Sequence, residues 1–114
     1  MLKNPTTQGL PQYIQLSFAD PVIPKRISFT FQGGFVGTHC VVYADFDATG
    51  KKDWQVLKSI YPEDVNRKQS FDLYPSEHDG MIKGVVSLKL VFEQSSDFFG
   101  RITLYDLKLE GDLA

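Results

Sequence analysis

The sequence has one cysteine, Cys40, so no intrachain disulfide can form and no cysteine cluster can hold a metal. A small chain without disulfides suits a reducing compartment. There are only two histidines, His39 and His78, and they lie far apart, without the spacing of a zinc motif. No apolar run is long enough to span a bilayer. The start, Met1 to Pro11, is polar and proline-punctuated where a secretory signal would be apolar. Basic charge is not in excess: 12 Lys plus Arg against 14 Asp plus Glu give a net charge of -2. The pI of about 5.6 is the opposite of a polyanion-binding footprint. A soluble intracellular protein is expected, with no metal, no cofactor, and neither nucleic acid nor a membrane as partner.

The 114 residues fit one domain, 1–114, and 42% hydrophobic content is enough for a core. Nine Phe and five Tyr favour strands, where flat rings pack on a pleated surface. Ile14, Leu16 and Phe18 alternate with polar residues, the period of a half-buried strand. Asp20-Pro21 and Pro24 predict a turn after it. Ile27, Phe29 and Phe31 predict a second strand, which stops at Gly33-Gly34. A third runs from His39 to Phe46, and Asp47 to Gly50 reads as a hairpin turn back through Trp54 and Val56. Pro62-Glu63-Asp64 fits the opening of one helical turn. A short strand through Phe71 and Leu73 follows, then a polar turn over Ser76 to Gly80. Val86, Leu88, Leu90 and Phe92 alternate cleanly. The last strand, about Arg101 to Leu109, changes phase, and a one-residue bulge near Tyr105 or Asp106 reconciles it. No helical period is sustained anywhere. The pattern predicts an all-β sandwich or barrel.

No catalytic constellation stands out. His39 and Cys40 are adjacent in a strand and so point to opposite faces, which defeats a nucleophile–base pair. Cys40 reads as a small core hydrophobe. Asp45 and Asp47 supply too few oxygens for calcium. Gly33-Gly34 lacks the lysine and helix of a phosphate loop. The aromatics are more informative. Phe35 follows the two glycines on a loop, and Phe98-Phe99 occupy another. Two consecutive rings cannot both face inward, so one is expected to plug the core and the other to project. Projecting aromatics mark contact surfaces. Arg101 is expected to pair with Asp97 and brace that loop. The candidate binding residues are Gln32, Gly33, Gly34, Phe35 and His39 at one loop, with Asp97, Phe98, Phe99 and Arg101 at the other.

Several stretches resemble a known family. Tyr43 to Gly50 followed by Trp54, and Gln32-Gly33 after the Phe29-Thr30-Phe31 strand, look like the discoidin signature. That resemblance implies a galactose-binding-like (discoidin) jelly-roll β-sandwich with Trp54 in its core. Phe31-Gln32-Gly33-Gly34-Phe35, Tyr61-Pro62-Glu63-Asp64 and Asp97-Phe98-Phe99-Gly100-Arg101 are more specific. In that order they resemble the small intracellular discoidin-like proteins called testicular-orphan-nuclear-receptor-associated proteins, over about Tyr13 to Gly111. Members of that family carry a longer N-terminal segment before the position of Ile14. The jelly roll is therefore expected to lack its first strands, with a sheet edge or core face left for a second copy or partner to cover.

The resemblance implies a non-catalytic protein-interaction adaptor, resident in nucleus and cytoplasm, whose partner belongs to a nuclear-receptor or other regulatory complex. A homodimer through the uncovered edge is a second expected association. The alternative is a small-ligand module for a carbohydrate or lipid headgroup, as the wider fold often is.

Overall fold

The protein is described here from a computed structural model that covers residues 9–47, 49, 51–73 and 84–114. The first eight residues of the polar start and the polar turn over Ser76 to Gly80, with His78, lie outside the described residues, as do Ala48 and Gly50 of the expected hairpin. Six strands are present: β1 (Gln12–Phe31), β2 (Gly37–Asp45), β3 (Trp54–Ile60), β4 (Lys68–Asp72), β5 (Val85–Ser95) and β6 (Leu104–Leu113). Among the described residues there is no helix.

The two N-terminal strands expected from the sequence are one. A straight β1 of 20 residues would run roughly 66 Å at about 3.3 Å per residue. The longest dimension of the molecule is 39 Å, so β1 must bend back on itself. Its first half pairs antiparallel with β5, from Gln12 opposite Phe92 to Ser17 opposite Ser87. Pairing then slips, with Val22 opposite Val85. Its second half, from Val22 on, pairs with β6, and Arg26 to Thr30 also pair with β4. The residues expected to make a turn, Asp20-Pro21 and Pro24, lie where the chain leaves one layer for the other. Proline suits that place because it has no N–H to offer a ladder.

Two layers result. The front one is β3-β2-β5 and the first half of β1; the back one is β4, the second half of β1, and β6. Their inner faces meet in a core. From the front come Cys40, Val42, Ala44, Leu88, Leu90 and Phe92, and from the back Ile27, Phe29 and Phe31, all fully buried. The rings of Phe29 and Phe92 lie 5.7 Å apart and those of Phe31 and Phe92 5.9 Å apart, both edge-on, the geometry favoured by ring quadrupoles. Phe92 also needs Gly37: a Cβ there would sit 2.2 Å from the ring.

Two local expectations need correction. No helical turn forms at Pro62. Instead the Gln69 side chain takes the place of a backbone partner, accepting from Glu63 N at 2.7 Å and donating to Glu63 O at 2.9 Å. Trp54 is not in the core. It lies half-buried opposite Asp45, with Lys52 and Lys89 over its ring. Beside it, Lys52 Nζ donates to Ser87 Oγ and lies 3.6 Å from the buried Asp45 carboxylate. The bulge in the last strand is as expected: Thr30 faces Asp106 and Phe31 faces Leu104, leaving Tyr105 as the extra residue.

Phe92→Ala removes the ring that joins the two layers and is expected to cost roughly 3–5 kcal/mol. Urea unfolding of the variant measures it, and a loss below about 1 kcal/mol would remove Phe92 from the centre of this core.

Candidate functional site

Three connections gather at one end of the sandwich, because β1, β3 and β5 all finish there. These are Gln32–Val36 between β1 and β2, Tyr61–Arg67 between β3 and β4, and Ser96–Thr103 between β5 and β6. The first and third are laced by backbone bonds. Gln32 N donates to Thr103 O, Thr103 N to Phe35 O, and Ser96 N to Val36 O, each at 2.9 Å. The second connection holds the glycine turn. Gly33 N donates to Asn66 Oδ1 and Gly34 N to Asp64 Oδ1. Gly34 has a φ of +88°, which a residue with a Cβ rarely adopts. Gln32 closes the turn by accepting from Phe35 N.

Asp97 organises the third loop. Its Oδ2 accepts from the backbone N–H groups of Phe99 and Arg101 at 3.0 Å each. Arg101 meets the same carboxylate in a fork, Nε to Oδ2 at 2.9 Å and a terminal nitrogen to Oδ1 at 3.0 Å. The Asp97 side chain is only 10% exposed, so this pair is shielded better than most surface ion pairs. The guanidinium hydrogen bonds come first in lowering the Asp97 carboxyl to about 2, against the opposing effect of burial. The same hydrogen bonds raise the Arg101 pKa. The Arg101 guanidinium lies 5.2 Å from the Phe35 ring centre and 5.4 Å from that of Phe99, so it joins the two loops through their aromatics.

The rings of Phe98 and Phe99 stand outside this brace. Phe98 is 93% exposed and Phe99 59%, at right angles with centres 5.1 Å apart. The expectation that one of them plugs the core is therefore wrong. The inward position behind them is filled by Ile102, which is buried. A loop closed by Asp97 has no room to turn a ring inward as well.

The structure thus brings together Gln32, Gly33, Gly34 and Phe35 with Asp97, Phe98, Phe99 and Arg101. His39, near the start of β2, joins neither of these two loops: its ring stacks on exposed Tyr61 of the second connection, centres 4.6 Å apart. Tyr61 and Asp64 were read from the sequence only as part of the Tyr61–Asp64 stretch and were given no role at the site, and Asn66 was not named. Asp and Asn in a turn-rich stretch do signal backbone capping, but which amides they cap depends on a loop 30 residues away. Cys40 is fully buried, and burial pushes its thiol up to about 12, so it stays protonated at neutral pH.

Front and back layers joined by one bent strand, with exposed aromatic rings carried on the loops at one end, define a β-sandwich of the galactose-binding, discoidin-like class. Solved structures of similar fold include chitosan-binding module 1 derived from a chitosanase/glucanase of Paenibacillus sp. IK-5. It has a TM-score of 0.67 and 10% identity over 92% of this chain and 72% of that one. An F5/8 type C domain from Bacteroides fragilis gives 0.57 and 13% over 90% and 67%.

No protein-family model matches the chain. Individual relatives do. It is 34% identical over 110 residues to the nuclear receptor 2C2-associated protein of Mus musculus, spanning 94% of this chain and 69% of that protein. The Danio rerio protein of the same name gives 36% over 92% and 68%, and the Homo sapiens one 32% over 92% and 68%. The chain belongs to the nuclear receptor 2C2-associated protein family.

Two measurements check the chemistry of this region. Cys40 is expected to resist alkylation in the native protein at mildly alkaline pH and to react once the protein is unfolded; rapid native labelling would mean the thiol is accessible. The Asp97 carboxyl, followed by NMR, is expected to titrate near 2. Its folded pKa lies below the unfolded value of about 3.9. The stability it contributes is therefore present above about pH 4 and lost as pH falls toward 2. A midpoint at the ordinary value would break the assigned Asp97–Arg101 pairing.

Proposed function

We propose that this protein is a non-catalytic interaction adaptor, working in nucleus and cytoplasm, that docks a protein partner with the loop end of its sandwich. The observation that carries this reading is Phe98, a ring 93% exposed on a loop that Asp97 and Arg101 hold rigid. Exposing one phenyl ring and most of a second costs solvation free energy, which a partner's apolar pocket would recover. Because the loop is already braced, little ordering entropy is lost on docking. Arg101 acts as the brace, not as a hand for an anionic ligand, since both Asp97 oxygens already engage it. Phe35 and the Gln32–Gly34 turn support the same surface from below. The relatives are named for association with a nuclear receptor, so that receptor is the first partner to test.

A second reading is favoured by one observation, the similarity of fold to a chitosan-binding module. Sugar recognition sets polar side chains around a platform ring. Here the carboxylate nearest the exposed rings is spent on Arg101 and on two backbone amides. Protein docking therefore fits this loop better.

Phe98→Ala with Phe99→Ala is expected to weaken capture of nuclear receptor 2C2 by the full chain at least tenfold, the scale of an interface hot spot of about 2 kcal/mol. Thermal stability should stay within a degree or two of wild type, since neither ring is buried. Undiminished binding would remove the loop from the interface. Glycan-array binding that the double variant abolishes would favour the sugar reading instead.

A further inference from the structure

The two layers do not close equally on their two sides. On one side Lys58 of β3 reaches across to the backbone of Asp72 in β4. On the other, the first half of β1 and β6 lie at the open rims of front and back. Among the described residues, no strand pairs with the outer edge of Gln12–Ser17. Burial falls off toward this seam. Leu88, Leu90 and Phe92 of β5 are fully buried, while Ile14, Leu16 and Phe18 of β1 and Leu107 and Leu109 of β6 are only partly so. A cleft of about 290 Å³ opens there, with Phe18, Val22, Pro24, Leu109 and Leu113 among its walls.

Edge strands are normally defended by charge, proline or a bulge. Three of the four edges here are: β3 carries Lys58, β4 carries Lys68 and Asp72, and β6 carries Asp106, Lys108, Glu110 and Asp112 around its Tyr105 bulge. The fourth, Gln12-Tyr13-Ile14-Gln15-Leu16-Ser17-Phe18, has no charge, no proline and an unbroken register to Ser17. In an antiparallel self-pairing centred on Gln15, Gln15 faces Gln15, Ile14 faces Leu16 of the second copy, Tyr13 faces Ser17 and Gln12 faces Phe18. The central inward pair is apolar on apolar, the central outward pair is amide on amide, and no like charges are opposed.

We propose that a second copy of this chain pairs through the Gln12–Phe18 edge, joining the two front layers across a two-fold axis into one continuous sheet. Extending the sheet satisfies the open row of backbone groups and covers Ile14, Leu16 and Phe18. The loop end carrying Phe98 lies at the strand ends and stays free, so each dimer displays two docking sites. This assembly stands or falls independently of the function assigned to those loops.

The test is the native mass of the full chain by light scattering or sedimentation, across a dilution series from micromolar to near-millimolar. The expected result is twice the chain mass of 12.9 kDa. Gln15→Lys sets two ammonium groups face to face on the axis, at an exposed position opposite Lys89 of its own β5, and should return the mass to one chain. Gln15→Glu alone should do the same. Mixing Q15K with Q15E should restore the double mass, because the opposed charges then attract, and that rescue has no explanation in a merely structural role. A Gln55→Lys control on the β3 edge should stay dimeric. A single-chain mass for wild type throughout the series overturns the proposal. So does a dimer that survives Q15K, or a Q15K/Q15E mixture that remains monomeric.

Discussion

Everything in this molecule depends on β1 serving both layers. A strand that spends its first half beside β5 and its second between β4 and β6 ties front to back through the chain itself. The inner residues of its second half, Ile27, Phe29 and Phe31, then share one core with Leu88, Leu90 and Phe92, and the rings of Phe29 and Phe31 meet that of Phe92. The packing follows from that covalent constraint. Phe92 can reach Phe29 and Phe31 only because β2 begins with Gly37, whose missing Cβ is the space the ring occupies. Few other positions in the core have so little choice of residue.

The same constraint places the loops. Since β1 folds back, its start and its end lie near the same end of the sandwich, and the Gln12 side chain donates to Gly100 O from below the Ser96–Thr103 loop. Rigid support therefore sits under the part of the surface that carries the most exposed rings. An aromatic pair on a loose loop would collapse onto the nearest apolar surface. The Asp97 carboxylate prevents that by taking four hydrogen bonds at once, an arrangement that leaves the rings nowhere to go but outward. The same four hydrogen bonds fix the shape of the loop, while the Cys40 thiol, buried in the core, stays protonated.

Much of this was legible beforehand. Alternation at Phe29, Phe31, Leu88, Leu90 and Phe92 identified the inner faces, because a strand's side chains must point alternately in and out whatever it pairs with. The phase change at Tyr105 announced a bulge for the same reason. The Asp97–Arg101 brace was readable because the partners are four residues apart within one tight loop. Trp54 was not: a large apolar ring suggests burial, yet its strand phase matches Tyr43 and Val56, which face outward in the front layer. The Phe98-Phe99 pair was misjudged on similar grounds, since hydrophobicity alone does not say that a carboxylate has already taken the inside of the turn.

By itself, then, the sequence determined the all-β character, the inner faces, the bulge and the absence of a disulfide scaffold, all local consequences of side-chain period and composition. Tertiary structure alone decided that two predicted strands are one bent strand, that Asp64 and Asn66 hold the Gly33-Gly34 turn, that both Phe98 and Phe99 face solvent, and which sheet edge has no pairing strand among the described residues. Those outcomes depend on which residues distant in the chain come to share a space. Periodicity carries no information about that, because it constrains each strand's own faces and not its neighbours.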